Sequence, residues 1–188
     1  MHPRCPVGSS SCRPIIICEG KLQWLDLIIN AKKSTCMRNG PRFDVNCSNI
    51  TTVGGHELTW RNELRYHGVF LTASRELRCS YDNTKLSFYR AFNAMFGKVG
   101  RCASEEVIVE LLKMKCLPVL FYGLESCPLS NSQIKSLDFA INSAVSTIFS
   151  IKSQDIIDNC KTVFKCRPLT ENLSTRKKNF LSKYIIFI

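Results

Sequence analysis

The 188-residue chain is poor in acidic residues, and those it has are scattered. It contains 15 Asp and Glu against 26 Lys and Arg, with no Asp-Asp, Asp-x-Asp or Glu-x-x-Glu pattern. Two-metal phosphoryl transfer needs carboxylates that converge on a strand or tight turn. Gly54-Gly55 has no Gly-Lys-Ser/Thr around it, so a phosphate-binding loop is not indicated either. We assign no catalytic residue, and the residues themselves indicate a binding module rather than an enzyme.

Closely spaced metal ligands are also missing. None of the eleven cysteines forms a Cys-x-x-Cys pair, and none of the three histidines, His2, His56 and His67, lies at ligand spacing from a cysteine pair. A secreted disulfide framework or a zinc site would show tighter spacing. We therefore expect no metal and no cofactor. We interpret the cysteines as reduced, mostly buried small hydrophobic residues of a cytoplasmic or nuclear protein.

Long apolar runs are absent as well. Apolar runs such as Ile15 to Cys18 and Leu117 to Tyr122 fall far short of the roughly 20 residues that a membrane span requires. The N-terminus lacks the apolar stretch of a secretory signal. We therefore expect a protein that is neither secreted nor partnered with a membrane.

What the chain has in excess is positive charge. Its net charge is +11 and its pI is about 9.3. Such an excess favours polyanionic partners such as DNA or RNA, although a basic surface without a partner is equally compatible with it. Several predicted helices in succession carry this bias, at Lys113, Lys115, Lys135, Lys152, Arg176, Lys177, Lys178 and Lys183. A phosphate-contacting surface is therefore one interpretation, with solvated charged faces as the alternative.

The first part of the chain combines a polar tail, one helical pattern and several short strand patterns. Residues 1–14, rich in Pro, Gly and Ser, suggest a loose tail, and the apolar spacing from Ile16 to Lys33 predicts a helix. Short strands are predicted near residues 35–38, 44–52 and 56–60, with a hairpin turn at Gly54-Gly55. From Glu63 to Leu71, apolar residues at period two predict one continuous half-buried strand.

The second part is helical. The spacing predicts a long helix from Ser80 to Arg101, then helices that begin near Ser104, Ser130, Ser153 and Thr170. Pro118 is expected to end or kink the helix that begins near Ser104. In the long helix one stripe is apolar, and we expect it to be core rather than a base-stacking platform: Phe88, Phe92, Met95, Phe96 and Val99. Arg90, Lys98 and Arg101 fall on the opposite side. The expected fold is α+β, mainly α: a short antiparallel β-hairpin region followed by a bundle of four or five helices.

The chain contains the four stretches CEGKLQWLDLIINAKKS (18–34), LRYHGV (64–69), SFYRAFNAMFGK (87–98) and KCLPVLFYGLE (115–125). Together they resemble the reverse transcriptase of non-LTR (LINE-type) retrotransposons of the jockey and chicken-repeat clades. Residues 18–34 (CEGKLQWLDLIINAKKS) resemble the palm helix that follows the catalytic turn. Residues 64–69 (LRYHGV) resemble the primer-grip strand, with His67 where the family commonly has Leu. Residues 87–98 (SFYRAFNAMFGK) resemble the first thumb helix. Residues 115–125 (KCLPVLFYGLE) are similar to the family's Pro-x-Leu-x-Tyr-Gly-x-Glu block.

The resemblance implies a fragment of an RNA-directed DNA polymerase. Residues 15–72 would be the end of the palm with a primer-grip-like hairpin, 73–165 a thumb-like bundle, and 166–188 a truncated basic helix. The catalytic aspartates, which in the intact parent would use Mg²⁺, would precede this region, so the chain alone is expected to be inactive. Tyr66, His67 and Gly68 would hold the primer end. Arg90, Lys98 and Arg101 are candidates for phosphate contact, chosen from helix geometry.

The expected partner is a DNA or RNA primer–template, bound weakly, and other segments of the parent polymerase are further candidates. Two alternatives stay open. One is a non-catalytic helical module that binds a protein through its apolar faces, with the 64–71 strand as an exposed edge. The other is a non-functional relic.

Overall fold

The computed structural model describes residues 13–100 and 102–185. The fold is α+β and mainly α, with about 53% helix and 11% strand, as the sequence predicts. The elements follow in this order: α1 (Arg13–Trp24), β1 (Thr35–Cys36), β2 (Ile50–Thr51), β3 (Glu57–Trp60), β4 (Glu63–Tyr66), β5 (Val69–Thr72), β6 (Arg78–Ser80), α2 (Asp82–Val99), α3 (Glu105–Leu111), a π-helical turn (Leu112–Cys116), α4 (Leu117–Phe121), α5 (Asn131–Phe149), α6 (Gln154–Val163) and α7 (Leu169–Ile185).

The chain divides into two compact units. The first unit runs to Arg65 and includes Leu71–Leu77; the second comprises Tyr66–Phe70 and everything from Arg78 onward. The strands form two small sheets, ordered β1-β3-β2 and β4-β5-β6. The division between the units passes through the β4–β5 hairpin, and β4 is an edge strand of its sheet.

In the first unit the predicted Gly54-Gly55 hairpin is confirmed. β2 pairs antiparallel with β3, with Ile50 opposite Leu58, and Gly55 adopts the positive φ of +77° that the turn requires. On its other side β3 pairs in parallel with β1. Ile50 and Leu58 are the only buried apolar side chains among the described residues of this unit. A core this small leaves most of the unit exposed to solvent.

Helix α1 is shorter than predicted. The sequence predicts a helix to Lys33, but α1 ends at Trp24. Asp26 takes a left-handed φ of +54°, while the Leu27 and Asp26 amides donate to the carbonyls of Leu22 and Gln23. These two hydrogen bonds form a Schellman motif, which satisfies the last carbonyls and turns the chain away. The apolar stripe predicted to continue beyond is therefore solvent-facing, with Ile28 94% exposed.

The second unit is built around α5, and its start is predicted correctly. The Gln133 amide donates to the Ser130 hydroxyl at 3.3 Å, while the Ser130 amide donates to Gln133 Oε1 at 2.9 Å. This capping box fixes the first residue of α5. The buried face repeats at helical spacing through Leu137, Ala140, Ile141, Ala144, Val145 and Ile148. Helices α6 and α7 also begin where the sequence predicts them.

Pro118 does not end its helix, because α3, the π-helical turn and α4 follow one another without a break. Before it, α3 widens into the single π-helical turn, in which the Leu117 amide donates to the Leu112 carbonyl. Pro118 then falls at the start of α4, where its missing amide leaves no donor unpaired. The π-helical turn thus accommodates Pro118 within a continuous helix. Leu112, Cys116 and Leu120 are all completely buried. No helix in the described ranges is long and apolar enough to cross a membrane.

Candidate nucleic-acid interface

The region predicted as a continuous strand from Glu63 to Leu71 is a hairpin, which corrects the sequence prediction. His67 and Gly68 both have positive φ, +46° and +84°, and join β4 to β5 as a two-residue turn. Turns of this handedness match the twist of the paired strands. His67 is exposed at the tip rather than buried in a strand, so its imidazole carries no desolvation cost. Its ring lies edge-on to Tyr66, with centroids 4.4 Å apart.

Residues just after α4 hold this turn in place. The Tyr122 hydroxyl donates to the His67 backbone carbonyl at 3.0 Å. The Tyr122 ring also covers Gly68, where a Cβ atom would lie 3.0 Å from Cε1. Next to it, Gly123 has φ +75°, and a Cβ there would lie only 2.5 Å from Val69 Cγ2. Both glycines are therefore required by left-handed backbone and by close approach.

This contact joins two stretches whose sequences were interpreted separately. No spacing rule predicts that the 115–125 stretch contacts the 64–69 stretch. The sequence signal available is Gly123, because a glycine with left-handed backbone commonly follows the end of a helix. Sequence reasoning therefore missed Tyr122 and Gly123 as residues that position the candidate site.

The side chains at the tip face solvent. Tyr66 is 62% exposed and Tyr122 57% exposed, and His67 is also exposed. Exposed aromatic rings with hydroxyl and imidazole groups can stack on bases and donate to phosphate or sugar oxygens. The sequence-predicted residues Tyr66, His67 and Gly68 are therefore brought together, with Gly68 shaping the backbone.

The three basic residues predicted on the long helix have different outcomes. Arg90 and Lys98 lie exposed on α2, and neither forms an ion pair with a residue in the described ranges. Arg101 lies outside the described residues. No hydrogen bond or ring contact among the described residues connects Arg90 or Lys98 to the 66–68 turn. Arg90 and Lys98 are thus available to contact phosphate, but no contact among the described residues links them to the 66–68 turn.

The aromatic stripe of α2 is core, as predicted. Phe88 is completely buried and Phe92 is 3% exposed. The Phe88 and Phe92 rings stack at 6.5 Å, and Phe92 and Phe96 stack at 5.4 Å. Met95, Phe96 and Val99 are partly buried. Rings packed on each other in this way are not available to bases.

Several other predicted cations are engaged in the protein itself. Lys113 pairs with Glu110 at 2.8 Å, and Arg176 pairs with Glu125 at 3.4 Å. Arg176 also lies over the Phe121 ring, 5.9 Å from its centroid. Lys113 and Arg176 therefore interact with side chains of the bundle itself and are not available to a ligand. The remaining predicted helix cations form no ion pair with a described residue: Lys115, Lys135, Lys152, Lys177, Lys178 and Lys183.

The cysteines differ from the prediction. All nine that the structure describes are free, but only Cys79 and Cys116 are buried, and Cys18 and Cys102 are exposed. "Mostly buried" is therefore wrong, because most of them lie on short or irregular segments that have little core to enter. Burial, and then the neighbouring Cys127 thiol, raise the pKa of Cys79 to about 12. Within residues 13–100 and 102–185, no group of three or more His, Cys, Asp or Glu side chains is placed to hold a metal ion.

Comparison with family models, curated proteins and solved structures yields no match to this chain.

Proposed function

We propose that the chain is a non-catalytic segment of a non-LTR retrotransposon reverse transcriptase that binds primer–template nucleic acid. In this proposal the 66–68 turn contacts the primer end, and Arg90 and Lys98 contact backbone phosphates. The observation that carries it is the Tyr122–His67 hydrogen bond, because it unites the two stretches that resemble the primer grip and the Tyr-Gly block.

Charge and exposure support the same function. The net charge of +11 attracts a polyanion, and Arg90 and Lys98 of α2 form no ion pair with a carboxylate in the described ranges. Tyr66 and Tyr122 offer exposed rings beside the turn. Ring stacking together with phosphate contact is how proteins bind nucleic-acid strands without sequence preference. Catalysis is not proposed, since the 188 residues contain no Asp-Asp, Asp-x-Asp or Glu-x-x-Glu pattern.

The test is binding of the full chain to a labelled primer–template hybrid at two salt concentrations. We expect affinity to fall steeply with salt, because each phosphate contact releases a counterion. The double variant Arg90→Ala/Lys98→Ala should bind more weakly, and the slope of log affinity against log salt should be smaller by about 2.

The matched control is Lys32→Ala/Lys33→Ala, which removes the same charge from two exposed lysines of the first unit. It should leave the salt slope unchanged. Equal weakening by both variants would indicate attraction by net charge alone. No binding by a chain shown to be folded would refute the nucleic-acid role.

His67→Asn tests the turn separately from the helix. Asn tolerates a left-handed backbone, so the turn and its carbonyl remain in place while the imidazole is removed. We expect weaker binding to the hybrid with an unchanged salt slope, because the imidazole ring is proposed to contribute stacking and hydrogen-bond contacts. Unchanged affinity would remove His67 from the proposed site.

A protein-binding role is the second candidate, favoured by the exposed apolar residues of α1. Ile16 is 59% exposed, Ile17 64% and Trp24 82%. Isolated exposed apolar residues are common, but three within one short helix form a patch that a partner could cover. Self-association or partner binding that is insensitive to salt would favour this candidate over the first.

A further inference from the structure

A groove lies within the second unit between α5, α6 and the segment that enters α7. Its volume is about 730 Å³, within the range typical of small-molecule sites. Ile134, Pro168 and Leu169 supply apolar surface to its lining. Four basic residues also line it: Lys135, Lys161, Lys165 and Arg167.

A left-handed turn after α6 carries two of these cations, Lys165 and Arg167, which line the groove. Lys165 takes a left-handed φ of +53°, its amide donates to the Thr162 carbonyl, and the Cys166 amide donates to the Lys161 carbonyl. This pair of bonds is a Schellman motif, which ends α6 and changes the direction of the chain. The Asn172 side-chain amide then donates to the Arg167 carbonyl at 3.1 Å and fixes the entry into α7.

The charges lining the groove are not balanced. Lys161 is already held by Asp158 at 3.0 Å, by Asp138 at 3.9 Å and by the Asn142 side-chain oxygen at 2.7 Å. Lys135, Lys165 and Arg167 form no ion pair among the described residues, and neither does the third lining carboxylate, that of Glu171. Four cations and three carboxylates give the lining a net charge of +1, so an anionic group in the groove would meet a small positive excess and three cations that are free to contact it.

The lining suits a ligand that combines a phosphate, a flat apolar ring, and hydroxyl or amine donors. Unpaired cations suit phosphate oxygens, and Arg167 can bind them with two parallel hydrogen bonds. The apolar surface of Ile134, Pro168 and Leu169 suits a flat ring. Glu171 and the Thr170 hydroxyl can accept hydrogen bonds from sugar hydroxyls or exocyclic amines.

We propose that this groove binds a nucleotide through its phosphate, either as a free nucleotide or as one residue of a single strand. The site is separate from the 66–68 turn and from Arg90 and Lys98. The proposal therefore does not rest on the primer–template function.

The test is calorimetric titration of the full chain with ADP, with a ten-nucleotide deoxyadenosine strand and with adenosine. We expect ADP or the strand to bind, and adenosine to bind at least tenfold more weakly because it lacks phosphate. Binding of ADP identifies a free nucleotide as the ligand, whereas binding of the strand alone identifies a nucleic-acid chain. No binding of either probe would overturn the proposal.

The variant Lys135→Ala/Arg167→Ala removes two exposed cations of the groove and should reduce affinity at least tenfold. The matched control is Lys177→Ala/Lys178→Ala, which removes the same charge from exposed lysines of α7 outside the groove. Its affinity should stay within twofold of the parent chain. Equal loss in both variants, or no loss in the groove variant, would refute a specific site. Circular dichroism on both variants checks that the fold is kept.

Discussion

The Tyr122 hydroxyl and the His67 backbone carbonyl, 55 residues apart in the sequence, are joined by a 3.0 Å hydrogen bond. Through this bond the end of α4 holds the tip of the β4–β5 hairpin. His67 participates through its backbone, so its side chain stays free at the surface. The same ring that donates this bond also covers Gly68. Tyr122 is therefore a positioning residue for the candidate interface.

Tyr122→Phe should destabilise the protein by about 0.5–1 kcal/mol, because it removes one neutral hydrogen bond and keeps the ring. The loss is at the low end since Tyr122 is 57% exposed and water replaces part of the bond. Urea unfolding measures it. Tyr89→Phe is the control: the Tyr89 hydroxyl has no hydrogen bond to a described residue, so stability should not change. Equal effects in the two variants would contradict a structural role for the bond.

Gly123→Ala should cost roughly 1–3 kcal/mol, because alanine is strained at φ +75°. The added Cβ would also lie 2.5 Å from Val69 Cγ2, which forces the hairpin or the loop to shift. Thermal unfolding and binding to the primer–template hybrid should both report the change.

Gly97→Ala provides the opposite expectation for the same chemical change. Gly97 lies within α2, and a Cβ there meets nothing within 4 Å. Alanine should raise stability by up to about 1 kcal/mol through its helix propensity. If both glycine variants were neutral, the close approach at Gly123 would not be a constraint on the fold.

The helical half could be predicted from the sequence because its signals are local. Ser130 and Gln133 specify a cap three residues apart, and the apolar stripe that follows has one period that only a helix satisfies. The hairpin tip could not be predicted in the same way. His67 is not the usual residue for a left-handed turn position, and period-two spacing continues unchanged through a two-residue turn.

Phe88→Ala should destabilise the protein by about 3–5 kcal/mol, because Phe88 is completely buried and its removal leaves a cavity. Phe139→Ala is the matched control, since Phe139 on α5 is 70% exposed. Its effect should stay within about 0.5 kcal/mol. Denaturant unfolding of the two variants compares them directly. A small effect at Phe88 would mean that the α2 stripe is not part of the core.

Only separate parts of the candidate interface could be predicted from the sequence. Arg90 and Lys98 could be placed on an exposed helix face from spacing alone, since side chains on one helix have fixed directions. The contact between Tyr122 and His67 depends on the tertiary path of α3, the π-helical turn and α4. The widening of the helix before Pro118 has no sequence rule that fixes it in advance. Long-range contacts of this kind follow from packing rather than from local pattern.

Stability should fall as the pH rises from about 9 to about 12. Burial, and then the neighbouring Cys127 thiol, raise the pKa of Cys79 from 9.0 to about 12, and burial also raises the pKa of Tyr81 above its ordinary value of 10. In this window the unfolded chain loses protons that the folded chain keeps. The stabilisation is therefore complete below about pH 9 and is lost as the pH approaches the folded pKa.

Urea unfolding at pH 8, 9, 10 and 11 under reducing conditions measures this slope. Cys79→Ala should make the slope smaller, because one of the shifted groups is gone. The slope should not vanish, since burial raises the pKa of the Cys116 and Cys166 thiols in the same direction. An alkaline slope identical in the parent chain and in Cys79→Ala would show that the Cys79 thiol ionises equally readily in both states, and that β6 does not bury it in solution.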